Sequence, residues 1–348
     1  MSKVIHLLGT AGGTWGGMER HTVDLAAAQA DAGHVVMLVG DSGYASRVPA
    51  NVAFYPLKVG RSRRHPLLWW QLIRLLKRLQ PDVVHAQGSK AAALLSAQSS
   101  WLKRAGCVCI GTVHGTKSSH KVYARLDAVI AVSEAIAVQL KHARIEIIPN
   151  GVTPRDPDPD VLAFCQAQRA SWSGALVLAI GRLVAVKGYD VLLQAWPDKA
   201  DAHLLILGDG PDRAVLQRLA DQRGMQGRVT FAGHSTAVTE WLSIADAMVI
   251  SSHREGFPYV LVEALQAGCP VLSTSVSGVS EILPPAALTD PGDVSGLNAL
   301  LERALPALAD LRCSQEPQFV MARTQLTLTA MADSTLKLYD SLRNPLHV

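Results

Sequence analysis

The stretch 246–265, DAMVISSHREGFPYVLVEAL, decides how the chain is read. Its first half, DAMVISS, is a short apolar run ending in small polar residues, the pattern of a strand buried on both faces. Pro258 suits the first position of a helix, where a missing N–H costs nothing. Gly268 and Pro270 stop that helix, and PVLSTS opens the next strand. The segment is therefore strand–loop–helix–strand, the unit of a parallel sheet. Glu255 falls in the loop and Glu263 in the helix, eight positions apart. Tyr259, Glu263 and Gln266 follow an i, i+4, i+7 pattern, a polar stripe on an apolar helix. By spacing alone that stripe faces water. By loop position, Glu255 and Glu263 are hydroxyl acceptors beside a ligand site.

The same alternation runs outward in both directions. KVIHLL, HVVMLV, DVVHA, VCIGTVH, AVIAVS and IEIIP read as strands of the first half. ALVLAIG, HLLILGDG, RVTFAGH, DAMVISS and PVLSTS read as strands of the second. Helical patterns separate them, as in MERHTVDLAAAQADAG, which stops at Gly33. PNGVTPRDPDPDV, 149–161, has no hydrophobic period and reads as a linker. Asn150 and Gly151 read as a turn. Asp156, Asp158 and Asp160 are interleaved with prolines away from any strand end, so they do not read as a metal site. The expectation is α/β: two doubly wound parallel-sheet domains facing a central cleft, divided at 1–152 and 153–324. A helical tail, 318–345, completes the chain.

No apolar run approaches the roughly 20 residues that cross a bilayer, and the start MSKVIHLLGTAGG is too short in its apolar part for a signal peptide. The five cysteines show no pairing or zinc spacing and read as buried free thiols of a reducing compartment. Localisation is thus expected to be cytoplasmic. The net charge of +4 conceals +10 over residues 1–150 and −6 over 151–348. Such asymmetry predicts different partners for the two halves.

Gly256, Phe257 and Tyr259 place N–H groups at a helix N-terminus, which suits phosphate. Arg182 and Lys187 lie five apart in the loop after ALVLAIG. An arginine grips phosphate bidentately and a lysine acts as a point charge. A nucleotide sugar matches these parts, its diphosphate meeting cations and its hydroxyls meeting carboxylates. LGDGPDR, 207–213, is a glycine-rich turn on the nucleotide side, without the third glycine of a dinucleotide fingerprint. In the first half, GTAGGTWGGMERH, 9–21, lets a ligand approach the backbone at Gly16 and Gly17. His114, in GTVHGTKS, sits at a strand end and is a candidate for touching substrate. GRSRRHPLLWWQLIRLLKRLQPD, 60–82, carries an apolar stripe of Leu68, Leu72, Leu75, Leu76 and Leu79 for the core. Arg61, Arg63, Arg64, Trp69, Trp70, Arg74, Lys77 and Arg78 suit either water or an anionic membrane surface. No recognised nucleic-acid module accompanies this charge.

Taken in order, GGMER, PDVVHAQGSKAA, GTVHG, IPNGV, GRLVAVKGYDVLLQAW, LLILGDGPDR and EGFPYVLVEALQAGCPVLSTSVSGVSEIL resemble glycosyltransferase family 4, retaining enzymes of the GT-B fold. The resemblance covers nearly the whole chain. It implies that the second domain binds the nucleotide sugar and the first the acceptor, with the last helix, about 325–348, packing on the first domain. Glu255 would bind sugar hydroxyls, Glu263 the ribose, and Arg182 with Lys187 the diphosphate. Gly256, Phe257, Pro258 and Tyr259 would complete the donor site. Gly16 and Gly17 would approach the phosphates and His114 the transferring sugar. The catalytic group is then His114, Glu255, Arg182 and Lys187. No cofactor and no metal are expected. The donor is a nucleotide-diphosphate sugar, UDP-linked by the resemblance. The acceptor is a glycan or glycolipid such as lipopolysaccharide core, reached at the inner face of the plasma membrane through 60–80. Gln87 stands where many relatives carry histidine. A sugar-nucleotide 2-epimerase and a non-catalytic sugar-nucleotide-binding protein are the alternative readings.

Overall fold

The computed structural model describes residues 1–13, 15–116 and 119–344. The chain divides into two compact units, Met1–Gly151 with Leu328–Val348, and Val152–Thr327.

The first unit is a seven-stranded parallel sheet: β1 (Lys3–Leu8), β2 (Val35–Gly40), β3 (Ala53–Pro56), β4 (Val83–Gln87), β5 (Val108–Val113), β6 (Ala128–Ala131) and β7 (Ile145–Ile147). The order is β3-β2-β1-β4-β5-β6-β7. The second unit is a six-stranded parallel sheet of β8 (Ala175–Ile180), β9 (Ala202–Leu207), β10 (Val229–Gly233), β11 (Ala247–Ile250), β12 (Val271–Thr274) and β13 (Leu288–Thr289), ordered β10-β9-β8-β11-β12-β13. Both are α/β doubly wound sheets. Each reverses its strand order once, between β1 and β4 and between β8 and β11. At such a reversal successive crossover helices lie on opposite faces, and the loops at the carboxyl ends of the two strands diverge to leave a crevice.

Central strands are uniformly buried, as their Val/Ile/Leu runs predict: every residue of β4, β5, β9, β11 and β12 is inside. Two edge strands, β3 and β13, were not among the expected strands. AFYP and LT are too short and too half-buried to carry that signal. The linker is also more ordered than expected. Asp158 caps the helix Pro159–Arg169, its side chain accepting from the backbone N–H of Asp160 and Val161. This explains an Asp-Pro pair without any metal. No cluster of three or more His, Cys, Asp or Glu side chains that could hold a metal ion occurs among the described residues.

The helical tail consists of two helices, Glu316–Thr324 and Leu328–Arg343. The first belongs to the second unit. The second buries Met331, Ala332, Leu338 and Tyr339 against Val4, Leu25, Val83, Ile110, Ile130 and Ile148 of the first. Arg343 anchors its end, donating to Ser2 Oγ at 2.6 Å and pairing with Asp82 at 3.2 Å. The helix is thus part of the first unit's core. All five cysteines are free. Cys107, Cys109, Cys165 and Cys269 are buried as expected, but Cys313 is exposed because it lies on the outer side of the short helix Leu308–Ser314.

Leu338→Ala removes a side chain that is 4% exposed. It should destabilise the first unit by about 2–5 kcal/mol. Hydrogen exchange should lose protection in peptides from β1, β4 and β5 and leave β8–β12 unchanged.

Candidate active site

In the second unit the crevice lies between β8 and β11. Gly181, Arg182 and Lys187 follow β8, and Ser252 and Glu255 follow β11. Lys187 Nζ and Glu255 Oε1 form an ion pair of 2.6 Å, with side chains 25% and 12% exposed. Ser252 Oγ donates to the same Oε1, also at 2.6 Å. Ser251 Oγ donates to the Lys187 carbonyl at 3.0 Å, and the His253 N–H donates to Val186 O at 2.9 Å. The two loops are therefore laced together by main-chain contacts as well as by charge.

Gly188 makes this approach possible. Its φ of +62° is left-handed, and a Cβ there would sit 2.1 Å from the Ser251 carbonyl oxygen. Only glycine fits, because both the conformation and the space exclude a side chain. Gly208, at φ +150°, does the same for the turn after β9: a Cβ would meet Gly181 O at 1.9 Å. The GDG turn thus buttresses the Arg182 loop, with Leu183 N–H donating to Asp209 O at 2.9 Å.

Glu255 uses one oxygen for two donors, which leaves Oε2 without a hydrogen bond among the described residues. Lys187 uses one of its three N–H donors. Each group is fixed yet keeps capacity for a ligand. Tyr189 lies behind them, its hydroxyl 3.2 Å from where a Gly181 Cβ would be. Burial, and next the Glu255 charge, push its pKa above the usual phenol value. Tyr189 is thus a neutral hydroxyl. Arg182 is exposed and joins no ion pair among the described residues, so the structure does not bring it to the Lys187–Glu255 pair.

The helix Tyr259–Gln266 begins one residue later than expected. Pro258 is its cap, with extended backbone, because ψ of 130° departs from the helical region. Phe257 and Tyr259 are buried at 4% and 7% exposure. Glu263 is half-buried. The stripe does not face water. Gln266 Nε2 lies 3.1 Å from Val152 O, 3.3 Å from Ala322 O and 3.2 Å from Leu326 O, so this amide fastens both ends of the second unit's chain. Beside the paired loops a hollow of about 700 Å³ is lined by Val184, Val186, Tyr189, Asp212, His253 and Arg254 among others. Sequence reasoning missed Ser252. A serine at a strand end three residues before a loop carboxylate was the available signal.

In the first unit, Gly16 caps the helix Gly17–Asp31, and both glycines are exposed. Glu19 folds back to accept from Gly16 N–H at 3.0 Å and Thr10 Oγ1 at 2.8 Å, which fixes the turn. Of the two glycine-containing motifs, Thr14, Lys117 and Ser118 lie outside the described residues, as do 345–348. His114 follows β5 and is half-buried. It lies edge-on to His21, ring centroids 4.6 Å apart. His21 Nδ1 is 2.9 Å from Asn150 Oδ1. Asn150, expected to be only a turn residue, is 5% exposed and partners this histidine.

His114 Nε2 is 2.8 Å from Gln87 Oε1, and Gln87 Nε2 is 3.3 Å from His6 Nδ1. His6 Nε2 is 2.8 Å from Gln29 Oε1. His85 sits 2.6 Å from both the Tyr339 hydroxyl and Thr112 Oγ1. Burial lowers all four histidine pKa values: His6 and His21 to about 4, His85 and His114 well below 6.5. Burying a charge without a counter-charge is costly, so each ring stays neutral.

The chain can now be set beside known proteins. The family model for glycosyl transferases group 1 matches residues 167–307, and that for glycosyltransferase family 4 matches 15–156. Together they span both units. The chain belongs to the family 4, group 1 glycosyltransferases. This glycosyltransferase is 28% identical to the lipopolysaccharide core biosynthesis glycosyltransferase LpsD of Rhizobium meliloti, over 79% of each chain. It is 25% identical to the phosphatidylinositol N-acetylglucosaminyltransferase GPI3 subunit of Saccharomyces cerevisiae, over 93% of this chain and 77% of that one. Among solved structures, Anabaena HepE in complex with UDP superposes with a TM-score of 0.81 at 19% identity, covering 97% of this chain and all of that one. A glycosyltransferase from Rickettsia africae superposes at 0.82 and 17% identity, covering 98% of both. These superpositions establish the GT-B fold class for the two sheets.

The histidine burial has a consequence for pH. The folded pKa values lie below the unfolded value near 6.5, so the unfolded chain takes up protons first as pH falls. This contribution is full above about 6.5 and is lost progressively toward about 4. Each such histidine costs roughly 1.4 kcal/mol per pH unit in that window. In the second unit burial lowers the pKa of His203. Between pH 7 and pH 5, hydrogen exchange should show the first unit losing more protection than the second, after correction for intrinsic exchange rates.

Proposed function

We propose that this glycosyltransferase moves a sugar, with retention of configuration, from a nucleotide-diphosphate sugar to a hydroxyl of a glycan or glycolipid acceptor. The observation that carries the donor side is the Lys187–Glu255–Ser252 cluster at the strand-order reversal of the second unit. Lys187 and Arg182 would take the diphosphate, Glu255 the sugar hydroxyls and Glu263 the ribose, with the backbone of Gly256, Phe257, Pro258 and Tyr259 assisting. Arg182 would join when the anion arrives, being exposed and uncommitted to another charge. Gly16, Gly17 and His114 are the first unit's contributions. Stabilisation of the leaving diphosphate by fixed cations supplies the main rate term, and no metal is needed for it. UDP is favoured as the carrier because HepE binds UDP and UDP-glucose. An acceptor of lipopolysaccharide-core type is favoured by the likeness to LpsD.

The acceptor side is proposed to work at the inner face of the plasma membrane. No helix among the described residues is long and apolar enough to cross a bilayer. The helix Pro66–Leu79 buries Leu68, Leu72 and Leu76 and exposes Leu67 by 51% and Trp70 by 55%. Arg63, Arg64, Arg74, Lys77 and Arg78 are exposed around them. Two apolar side chains with cations on both sides suit the boundary of an anionic bilayer.

A thermal-shift screen of UDP-, GDP- and ADP-sugars should show stabilisation by the UDP series, growing with ligand concentration by mass action. Lys187→Ala and Glu255→Ala should each lower transfer by about a hundredfold or more while leaving the fold intact, and chelation by EDTA should leave wild-type transfer unchanged. Near-normal turnover in either variant would refute the assignment. Conversion of donor without acceptor would favour the epimerase, and binding without turnover a non-catalytic role.

Vesicles containing anionic phospholipid should sediment the protein at low salt, and neutral vesicles should not. Trp70→Glu together with Arg74→Glu should abolish this binding while soluble-acceptor transfer persists. Equal binding of wild type and variant would remove the helix from the membrane.

A further inference from the structure

The buried contacts behind His114 form one continuous path. They run from His114 through Gln87, His6, Gln29 and Tyr339 to His85 and Thr112, and so join β1, β4, β5, the helix Gly17–Asp31 and the C-terminal helix of the first unit. His6, Gln29, His85, Gln87, Thr112 and Tyr339 are each at most 1% exposed. No carboxylate, lysine or arginine takes part in it.

A neutral imidazole gives a proton on one nitrogen and accepts on the other. A carboxamide gives on nitrogen and accepts on oxygen. From His114 to Gln29 each link therefore fixes the sense of the next, so that stretch runs wholly one way or wholly the other, whereas the Tyr339 hydroxyl can accept from either side. The structure holds one sense. His114 Nε2–H donates to Gln87 Oε1, Gln87 Nε2 donates to His6 Nδ1, and His6 Nε2–H donates to Gln29 Oε1. Gln29 Nε2 donates to the Tyr339 oxygen at 3.4 Å, and the Tyr339 hydroxyl is then free to donate to His85 Nδ1, which leaves His85 Nε2–H for Thr112 Oγ1. Reversal of the stretch from His114 to Gln29 would require both amides to turn over and the His114 and His6 rings to exchange tautomers together.

We propose that Gln87 is a positioning residue that holds His114 in the Nε2–H form, and that the path to the C-terminal helix fixes Gln87 in that sense. His114 Nδ1 then presents a lone pair that can accept from a sugar hydroxyl. In the reversed sense it would present a donor. Nδ1 makes no hydrogen bond among the described residues. The proposal rests on the reading of His114 as the group beside the transferring sugar. It deepens that reading by assigning the proton. A side chain at 87 must both accept from His114 and donate to His6. Glutamate satisfies the first demand only, and it adds a negative charge that would draw a second proton onto His114.

The test is imidazole 15N NMR of the full chain, with His114 assigned by comparison with His114→Gln. It is combined with transfer kinetics of wild type, Gln87→Glu and Gln87→Leu, their folding checked by melting temperature. Wild-type His114 should show the neutral Nε2–H pattern at pH 7. Gln87→Glu should show both nitrogens protonated, and kcat should fall by on the order of tenfold to a hundredfold, with donor KM little changed. Its activity should recover as pH rises past the elevated imidazolium pKa, a change in pH profile that loose packing alone would not produce. Gln87→Leu, where it folds, should show mixed tautomers. A wild-type Nδ1–H form, or a His114 pattern unmoved by Gln87→Glu, would overturn the proposal. Altered protonation with unchanged kcat would instead remove His114 from the reaction, and with it the role assigned to Gln87, while leaving the donor site of the second unit standing.

Discussion

An all-parallel sheet covered on both faces has to reverse its strand order somewhere, because right-handed crossovers carried in one direction place their helices on one side. In the second unit that reversal falls between β8 and β11. The two loops that leave those strands are then neighbours, although Lys187 and Glu255 are 68 positions apart in the chain. Lys187 rides on one and Glu255 on the other. The Lys187–Glu255 ion pair, the Ser251–Lys187 contact and the His253–Val186 contact follow from this adjacency. Gly188 follows too: set against the Ser251 carbonyl, it lets the two loops touch through their backbones. A lysine and a glutamate on floppy loops would be worth little as a pair. Held by main chain and by Ser252, they are positioned before a ligand arrives.

The polar clusters described for the two units differ in kind. The second concentrates opposite charges near the surface, where partial solvation tolerates them. In the first unit the buried Glu19 is held by Thr10 and the Gly16 N–H, and apart from it the path behind His114 is built of neutral groups joined in series. A charged residue inserted there would lack a counter-charge, whereas a neutral imidazole costs little once both nitrogens are satisfied. The C-terminal helix closes that chain through Tyr339, which gives the helix a chemical connection to His114 in addition to its apolar packing.

The strands were legible where burial on both faces demands an unbroken Val/Ile/Leu run, as in HVVMLV or ALVLAIG. They were not legible at β3 and β13, where edge position removes that demand. Glu255, Lys187, Gly16 and His114 could be picked out because each sits in a loop just after a strand or at a helix entry, positions that sequence marks with glycine or proline. Arg182 could be picked out by the same rule, yet the structure leaves it apart from the ion pair. Ser252 was hidden as the polar end of a strand. Gln29, His6, His85 and Tyr339 were hidden for a deeper reason: their partners lie 23 to 310 positions away, and no local pattern distinguishes a buried histidine that packs from one that links. Gln266 shows the converse. Its helical spacing with Glu263 suggested a common face toward water, but its amide is consumed by three carbonyls of the second unit.

A crystal structure of the protein with UDP would bear most directly on the donor site. The diphosphate should lie within hydrogen-bonding distance of Lys187 Nζ and at the entry of the helix Tyr259–Gln266, with Arg182 drawn toward it and the ribose against Glu263. UDP bound elsewhere, with Lys187 and Glu255 still paired and untouched by it, would contradict the assignment of that site.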